Sequence, residues 1–295
     1  MRIGFIGLGI MGSRMAANFQ AKGHQLWVHN RTRERAEALL SAGAVWADSP
    51  RALAATPKLD LLCTCVADPP AMEEIAFGAR GFVGGLASGV RVVDFSTMFP
   101  ALIRRLGAAI AERGGALLEA PMTGSKNAAQ GGSLLLMCGG DRALFDELSP
   151  VLGAVSAKLI HVGALGQATQ VKLIGNVIIA HMVEALSEGA ALAARSDIPL
   201  AKLLEVVQSS GYASPFWDFK GKALIERDFS THFSVDLMHK DLTLALATAH
   251  EKKVPMPGAA AIREVYQLAR AQGRGGDDIS ATATVIDPTL NRPAG

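Results

Sequence analysis

Two places in the chain carry residue types suited to chemistry: a glycine-rich turn near the N-terminus and a lysine within a long apolar segment. Residues 7–12 read Gly-Leu-Gly-Ile-Met-Gly, directly after the first predicted strand and at the start of the first predicted helix. In this context the glycines allow a tight turn, close approach of a pyrophosphate and close helix–strand packing. A plain turn is the alternative. The pattern predicts a cofactor-binding turn made of Gly7, Leu8, Gly9, Ile10, Met11 and Gly12.

The residues after the second predicted strand bear on which dinucleotide binds. They read Asn30-Arg31-Thr32, at about 20 residues past the glycines, where an NAD site places an acid on the ribose 2′-hydroxyl. No acid is present, whereas Arg31 supplies a charged donor and Thr32 a hydroxyl, which suit a 2′-phosphate. We therefore expect NADPH or NADP, with NAD possible but less favoured. The alternative is that Arg31, Arg33 and Arg35 only solvate the start of a helix.

Lys172 and Asn176 are four residues apart in a helical pattern, so their side chains share one face. Reduction of a carbonyl needs a hydride donor, a proton donor at the nascent alkoxide, and donors for any substrate carboxylate. A lysine with an ordinary pKa of about 10.4 is protonated at neutral pH and can supply that proton. Lys172 is thus the candidate general acid/base, and a snorkelling lysine is the alternative.

The turn at residues 123–125 is the candidate site for a substrate carboxylate. Thr123, Gly124 and Ser125 can offer two hydroxyls and backbone N–H groups, which form an anion-binding turn without a buried arginine. An ordinary strand-to-helix loop is the alternative.

Four stretches, at residues 93–100, 119–126, 166–176 and 240–245, occur in a familiar order and spacing. They resemble the β-hydroxyacid dehydrogenase (3-hydroxyisobutyrate dehydrogenase-like) family over nearly the whole chain. The resemblance implies an acid/base role for Lys172, a substrate contact for Asn176 and carboxylate binding by the 123–125 turn. It also implies cofactor contacts for Val66, for Thr97 near the nicotinamide ribose, and for Lys240 on the far side of the cofactor.

Finer matches, at residues 30–32, 124–126 and 228–241, resemble the glyoxylate/succinic semialdehyde reductase branch, also called γ-hydroxybutyrate dehydrogenase. That branch places Phe233 and Asp241 at the substrate pocket. Thr123 departs from its more frequent serine but keeps the hydroxyl, and residues 212–217 are bulkier than in that branch.

The expected function is therefore NADPH-dependent reduction of a small carboxylate-bearing aldehyde, such as glyoxylate or succinic semialdehyde, to the hydroxy acid. An NAD-dependent 3-hydroxyisobutyrate or tartronate semialdehyde enzyme is disfavoured by the missing acid after the second strand. A non-catalytic NADP-binding scaffold is disfavoured by the presence of Lys172 with Asn176. An imine reductase shares the fold but usually lacks a lysine at this position.

The elements that position these residues alternate between strand and helix in the first half of the chain. Predicted strands cover residues 2–6, 25–29, 60–65, 90–94, 116–119, 133–138 and 155–161. Predicted helices cover residues 11–21, 32–41, 100–112, 167–195, 201–208, 217–226, 235–251 and 258–271. This predicts an α/β fold: a Rossmann-type doubly wound, mainly parallel sheet, a long interdomain helix and an all-α C-terminal domain. The expected boundaries are 1–163, 164–195 and 196–287, with an exposed tail at 288–295.

Composition excludes several other classes of protein. The 29 Lys and Arg against 27 Asp and Glu give a net charge of +2, too balanced to indicate a nucleic-acid or membrane surface. Charged residues within 173–194 argue against a membrane span, and no signal peptide is evident. Three cysteines suggest no disulfide framework and a cytoplasmic location, and no histidine has a metal-site spacing. An Ala- and Leu-rich helical domain favours a homodimer or homotetramer.

Overall fold

The computed structural model describes residues 1–291 and contains a nine-stranded sheet in the first half of the chain. Its strands are β1 (Arg2–Ile6), β2 (Gln25–His29), β3 (Val45–Trp46), β4 (Leu61–Thr64), β5 (Arg91–Asp94), β6 (Ala116–Glu119), β7 (Met122–Thr123), β8 (Leu134–Gly139) and β9 (Ser156–Gly163). The order is β3-β2-β1-β4-β5-β6-β8-β7, with β9 beside β8. Strands β1 to β6 are parallel, and β8 is antiparallel to β6 and β7. The doubly wound, mainly parallel sheet is confirmed.

Seven helices follow these strands: α1 (Ile10–Ala21), α2 (Glu37–Ser41), α3 (Pro50–Ala54), α4 (Pro69–Phe77), α5 (Pro100–Ala111), α6 (Lys126–Gln130) and α7 (Arg142–Leu152). The strands between them have a core on each face. Successive side chains of a strand point to opposite faces, so Phe5 and Cys63 belong to one buried cluster while Ile6 and Leu62 belong to the other.

The described residues that follow form a helical region, as predicted, with α8 (Gln167–Arg195), α9 (Leu200–Gln208), α10 (Pro215–Glu226), α11 (Val235–Glu251), α12 (Pro257–Ala271) and α13 (Ala283–Ile286). The chain divides into two compact units, Met1–Lys172 and residues 173 onward, so the division falls inside α8. The second unit has its own core, which includes Leu186, Leu224 and Ala283. The predicted domain boundaries at 163 and 195 stay predictions.

Helix α8 is long and apolar enough to cross a membrane by length and composition alone. Half of its most apolar 18-residue window is buried within the protein. Because core helices of soluble proteins meet the same criterion, this feature is weak evidence for a membrane span.

Two predicted segments differ from the structure by more than a shift of one or two residues at an end. Residues 32–41 form a 3₁₀ turn (Arg33–Ala36) before α2, rather than one helix. Thr32 provides no side-chain cap there, and the basic side chains of the first turn oppose the helix dipole. The tail also begins later than predicted, because Pro288–Asn291 forms a 3₁₀ turn that buries Leu290 in the core of the second unit. Residues 292–295 of the predicted tail lie outside the described residues.

Candidate functional site

The glycine turn between β1 and α1 has a geometry that only glycine can supply at two positions. Gly7 has a φ of +98°, and a Cβ there would collide with the carbonyl oxygen of Cys65. A Cβ on Gly12 would collide with the carbonyl oxygen of Gly7. A Cβ on Gly9 would meet nothing within 4 Å. The first and third glycines are therefore required for packing, and Gly9 leaves the backbone open to an approaching ligand.

Asn30 fastens this turn to the end of β2. Its Oδ1 accepts a hydrogen bond from the Leu8 N–H at 3.0 Å, and its Nδ2 donates to the carbonyl of Thr32 at 2.8 Å. The Gly7 N–H donates to the carbonyl of His29 at 3.0 Å. Helix α1 has no side-chain cap, so the N–H groups of its first turn can meet an anion.

A cavity of about 670 Å³ lies in the first unit, at the carboxyl ends of β1, β2 and β4. Strand β1 lies between β2 and β4, so the cavity is at the switch point where doubly wound sheets bind ligands. Six of the predicted cofactor residues line it, namely Gly7, Gly9, Asn30, Arg31, Thr32 and Val66. The structure thus brings the glycine turn and the proposed phosphate-binding residues to one cavity.

Two basic residues in this cavity were not predicted as cofactor ligands. Arg35 and Arg80 line it together with Arg31. Arg80 donates to the carbonyl of Asp48 at 2.7 Å, which orients its guanidinium. Arg33 is not among the lining residues, and its guanidinium lies 5.1 Å from the ring centroid of Trp46. Three arginines from separate parts of the chain therefore line this cavity.

The segment that bears Thr97 is held by a buried network at the ends of β4 and β5. Asp94 Oδ1 accepts hydrogen bonds from the Thr64 hydroxyl at 2.8 Å and from the Ser96 N–H at 3.0 Å. The Ser96 hydroxyl in turn accepts from the Val66 N–H at 2.9 Å. This network fixes the two loops that carry Val66 and Thr97, although Thr97 does not itself line the cavity.

The predicted carboxylate-binding turn connects β7 to α6. Thr123 pairs with Leu135 of β8, and Gly124 has a φ of +141°, which favours glycine. The Ser125 hydroxyl caps α6 by accepting from the Ala128 N–H at 3.2 Å. A capping hydroxyl still has its own proton to donate, so Ser125 is able to bind a carboxylate oxygen.

Lys172 lies on the second turn of α8 and is half-buried. The start of this helix is held by Glu119, at the carboxyl end of β6. The Glu119 carboxylate accepts from the N–H groups of Gly166 at 2.6 Å, Ala168 at 3.0 Å and Thr169 at 3.0 Å. Burial raises the pKa of Glu119 to about 7, although these three bonds favour its ionised form.

Asn176 and Lys240, two predicted site residues in the second unit, both contact the carboxylate of a third, Asp241. It is buried, and its Nδ2 donates to Asp241 Oδ2 at 2.5 Å. The Lys240 ammonium lies 2.9 Å from the other oxygen of the same carboxylate. The structure therefore joins Asn176, Asp241 and Lys240, of which the sequence placed the first two at the substrate and the third at the cofactor.

Phe233 lies on a loop that a buried ion pair holds. Asp278 Oδ2 accepts from the N–H groups of His232 at 3.1 Å and Phe233 at 3.2 Å. Its Oδ1 accepts from the Lys220 ammonium at 2.6 Å, and both side chains are under 5% exposed. Sequence reasoning missed this pair; a lysine inside an otherwise apolar helical face was the signal available.

Comparison with known proteins covers both halves of the chain. Residues 2–163 match the family described as the NAD binding domain of 6-phosphogluconate dehydrogenase. Residues 166–286 match the family described as NAD-binding of NADP-dependent 3-hydroxyisobutyrate dehydrogenase. The chain uses NADP or NAD.

Individual relatives match over most of their length. Glyoxylate/succinic semialdehyde reductase 2 of Arabidopsis thaliana, a chloroplastic protein, is 33% identical over 99% of this chain and 81% of its own. Glyoxylate/succinic semialdehyde reductase 1 of the same plant is 32% identical over 97% of this chain and 98% of its own. A crystal structure of a 3-hydroxyisobutyrate dehydrogenase from Salmonella typhimurium is 28% identical, with a TM-score of 0.85 over 97% of this chain and 99% of that one.

Proposed function

The chain belongs to the 3-hydroxyisobutyrate dehydrogenase-like family of NAD(P)-dependent hydroxyacid dehydrogenases, and on that premise we propose that it reduces small aldehyde acids with NADPH. It is an oxidoreductase that acts on CH–OH groups. Glyoxylate and succinic semialdehyde are the substrates we propose. The observation that carries the proposal is the half-buried Lys172. The start of its helix is bonded to Glu119 of β6, in the same sheet and the same compact unit as the glycine turn.

Each group of the chain has a separate task in this reaction. The bound cofactor supplies the hydride. The glycine turn and the N-terminus of α1 hold its pyrophosphate, and residues 30–32 hold its adenosine end. Lys172 donates a proton to the oxygen of the aldehyde as that oxygen becomes an alkoxide. The hydroxyls of Thr123 and Ser125 bind the substrate carboxylate.

The preference for NADPH is supported by Arg31, which lines the cavity where no acid follows β2. We expect Arg31→Asp to raise the KM for NADPH by about 10- to 100-fold, because a hydrogen bond to a charged group contributes about 1.5–3 kcal/mol. The KM for NADH should change little. Arg33→Asp is the matched control, since Arg33 lies against Trp46, and it should leave both constants nearly unchanged. Equal effects on the two cofactors would contradict NADPH selectivity.

A substrate panel tests the reaction itself. Purified protein is assayed with glyoxylate, succinic semialdehyde, tartronate semialdehyde, methylglyoxal and cyclic imines, each with NADPH and with NADH. We expect the highest kcat/KM with glyoxylate or succinic semialdehyde and NADPH. Highest activity with tartronate semialdehyde and NADH, or with imines, would replace the proposed substrate class.

We also propose that two copies associate through α8. The exposed face of this helix repeats every three or four residues, at Val171, Ile174, Ile178, His181, Ala185, Glu188 and Leu192. This is the spacing by which one helix packs along another. In an antiparallel pair centred between His181 and Met182, Val171 would face Leu192 and Ile178 would face Ala185, so these apolar positions would meet one another.

Light scattering checks the assembly. We expect at least twice the monomer mass of 30.8 kDa for the wild-type protein, and a smaller mass for Ile178→Glu, which adds a charge to the proposed interface. A monomeric wild-type protein would exclude it.

We also propose a cytoplasmic location, because the cysteines are free thiols, as is usual in a reducing compartment.

A further inference from the structure

Glu119 is a fully buried acid that bonds the start of the helix carrying Lys172, and the proposed reaction assigns it no task. We propose that the ionised Glu119 carboxylate is a positioning residue, which fixes the first turn of α8 and thereby the placement of Lys172. The effect on turnover rests on the proposed function, whereas the effect on the helix does not.

The Glu119 carboxylate is buried, and both of its oxygens accept hydrogen bonds. Glu119 is 0% exposed, and its two oxygens accept three backbone hydrogen bonds, two on Oε1 and one on Oε2. A Cβ on Gly139 of the neighbouring strand would collide with Glu119 Oε1, so the pocket fits this side chain closely. The N-terminus of α8 therefore receives a negative charge where the helix dipole favours one.

The bonds reach the turn that precedes Lys172. Thr169 is three residues before Lys172, which is about one helical turn. Besides its bond to Glu119, Thr169 exchanges bonds with Met98: its hydroxyl donates to the Met98 carbonyl at 3.0 Å and accepts from the Met98 N–H at 3.3 Å. Two side chains thus hold this turn to the ends of β5 and β6, and Lys172 extends from the next turn.

The ionised form suits this geometry best. All three partners are N–H donors, so the proton of the acid form finds no acceptor among them and weakens the oxygen that carries it as an acceptor. Glutamine has the same shape as the protonated acid and places an NH₂ group against the same donors. Glu119→Gln therefore represents the protonated state at every pH.

The groups that face Glu119 keep its titration close to neutral pH. Burial raises its pKa to about 7, and the negative charge of Asp94 on β5 adds to the shift. Two further titratable or charged groups lie near it: Cys138 on β8, and Arg104 of α5, which lies beside Gly166. Acidification protonates a lysine more fully, so a loss of reduction below pH 7 would not come from Lys172.

Stability and turnover should therefore respond to pH in opposite directions. The folded-state pKa of Glu119 is raised above its usual 4.5, so the folded protein holds an extra proton between about pH 4.5 and 7. This group makes the protein more stable as the pH falls from 8 toward 5. The same protonation loosens the cap of α8 and lowers kcat. If Glu119 only stabilised the fold, its protonation would lower stability and kcat together.

The test combines a pH profile with hydrogen exchange. We expect the wild-type kcat for succinic semialdehyde to fall by up to about tenfold per pH unit below 7, following the ionised fraction of Glu119. Glu119→Gln should lower kcat about 10- to 100-fold at pH 8, leave the KM for NADPH unchanged and flatten the acid side of the profile. Its Tm at pH 8 should equal or exceed that of the wild type.

Glu184→Gln is the matched control, because burial also raises the pKa of Glu184 to about 7, on the same helix in the second unit. This variant should keep the acid-side fall in kcat. A profile that flattens in Glu184→Gln and persists in Glu119→Gln would overturn the proposal.

Amide hydrogen exchange of the peptide spanning residues 164–172 tests, without any substrate, whether Glu119 holds the start of α8. After correction for intrinsic rates, its protection should fall about tenfold in the wild type from pH 8 to pH 6, and Glu119→Gln should show the lower protection at both pH values. Unchanged protection would refute the capping role. If no aldehyde acid is reduced, the proposed function fails, and this measurement still decides the role of Glu119.

Discussion

Lys172→Ala is expected to lower kcat for aldehyde reduction by about 10²- to 10⁴-fold, the range that a positioned general acid contributes. The Kd for NADPH should stay within about twofold, because the residues that line the cofactor cavity do not include Lys172. The comparison of kcat with Kd separates a lost proton donor from a damaged cofactor site.

Two further variants make this result specific. Lys172→Arg keeps the positive charge but cannot give up its proton at neutral pH, so it should be nearly as inactive as alanine. Lys22→Ala removes an exposed lysine at the end of α1 in the same unit and should have no effect on kcat. Turnover within tenfold of wild type in Lys172→Ala would remove the lysine from the mechanism.

The second large effect is expected at the glycine turn, where two glycine-to-alanine substitutions should have different consequences: one should weaken cofactor binding, and the other should destabilise the fold. Gly9 has a φ of −72°, which alanine adopts readily, and its Cβ would meet no protein atom. Gly9→Ala should leave Tm within a few degrees of the wild type. It should weaken NADPH binding about 10- to 100-fold, because the added methyl group separates the pyrophosphate from one or two N–H donors.

Gly12→Ala should instead destabilise the fold. Its methyl group collides with the Gly7 carbonyl, and overpacking of this kind costs about 1–3 kcal/mol, or roughly 2–12 °C in Tm for a unit of this size. Thermal melts and fluorescence titration with NADPH distinguish the two cases. If Gly9→Ala binds NADPH normally, the backbone at Gly9 does not approach the cofactor.

Sequence patterns predicted the elements whose signals are local. Strands β1, β2 and β6 and helix α11 begin and end at the predicted residues, because a glycine or polar residue adjoins at least one end of each strand and Ser234 caps the helix. Short elements such as β3, α3 and β7 have two to five residues, too few for a hydrophobic period to be visible. The cap of α3 by Ser49, followed by proline, was nevertheless a readable signal.

The site divides in the same way. The glycine turn and residues 30–32 are each a short continuous stretch of sequence, and Gly7, Gly9 and residues 30–32 line the cavity. The contact of Glu119 with Thr169 spans 50 residues, and that of Lys220 with Asp278 spans 58. No pattern in one sequence reports such a distance. Arg80 is likewise 50 residues from Asn30 in the chain and meets the same cavity only because β4 and α4 bring it there.

The anchor that Asn30 gives to the glycine turn makes the choice of cofactor easy to change during evolution. Aspartate has the same shape and would keep an oxygen where Asn30 Oδ1 accepts the Leu8 N–H, so the turn would retain its support. The change would remove the Nδ2 bond to the Thr32 carbonyl and add a negative charge that suits a ribose hydroxyl and repels a phosphate. One substitution at this position would thus shift the preference from NADP toward NAD without rebuilding the loop, so relatives that share this architecture are free to differ in the redox pool they draw on.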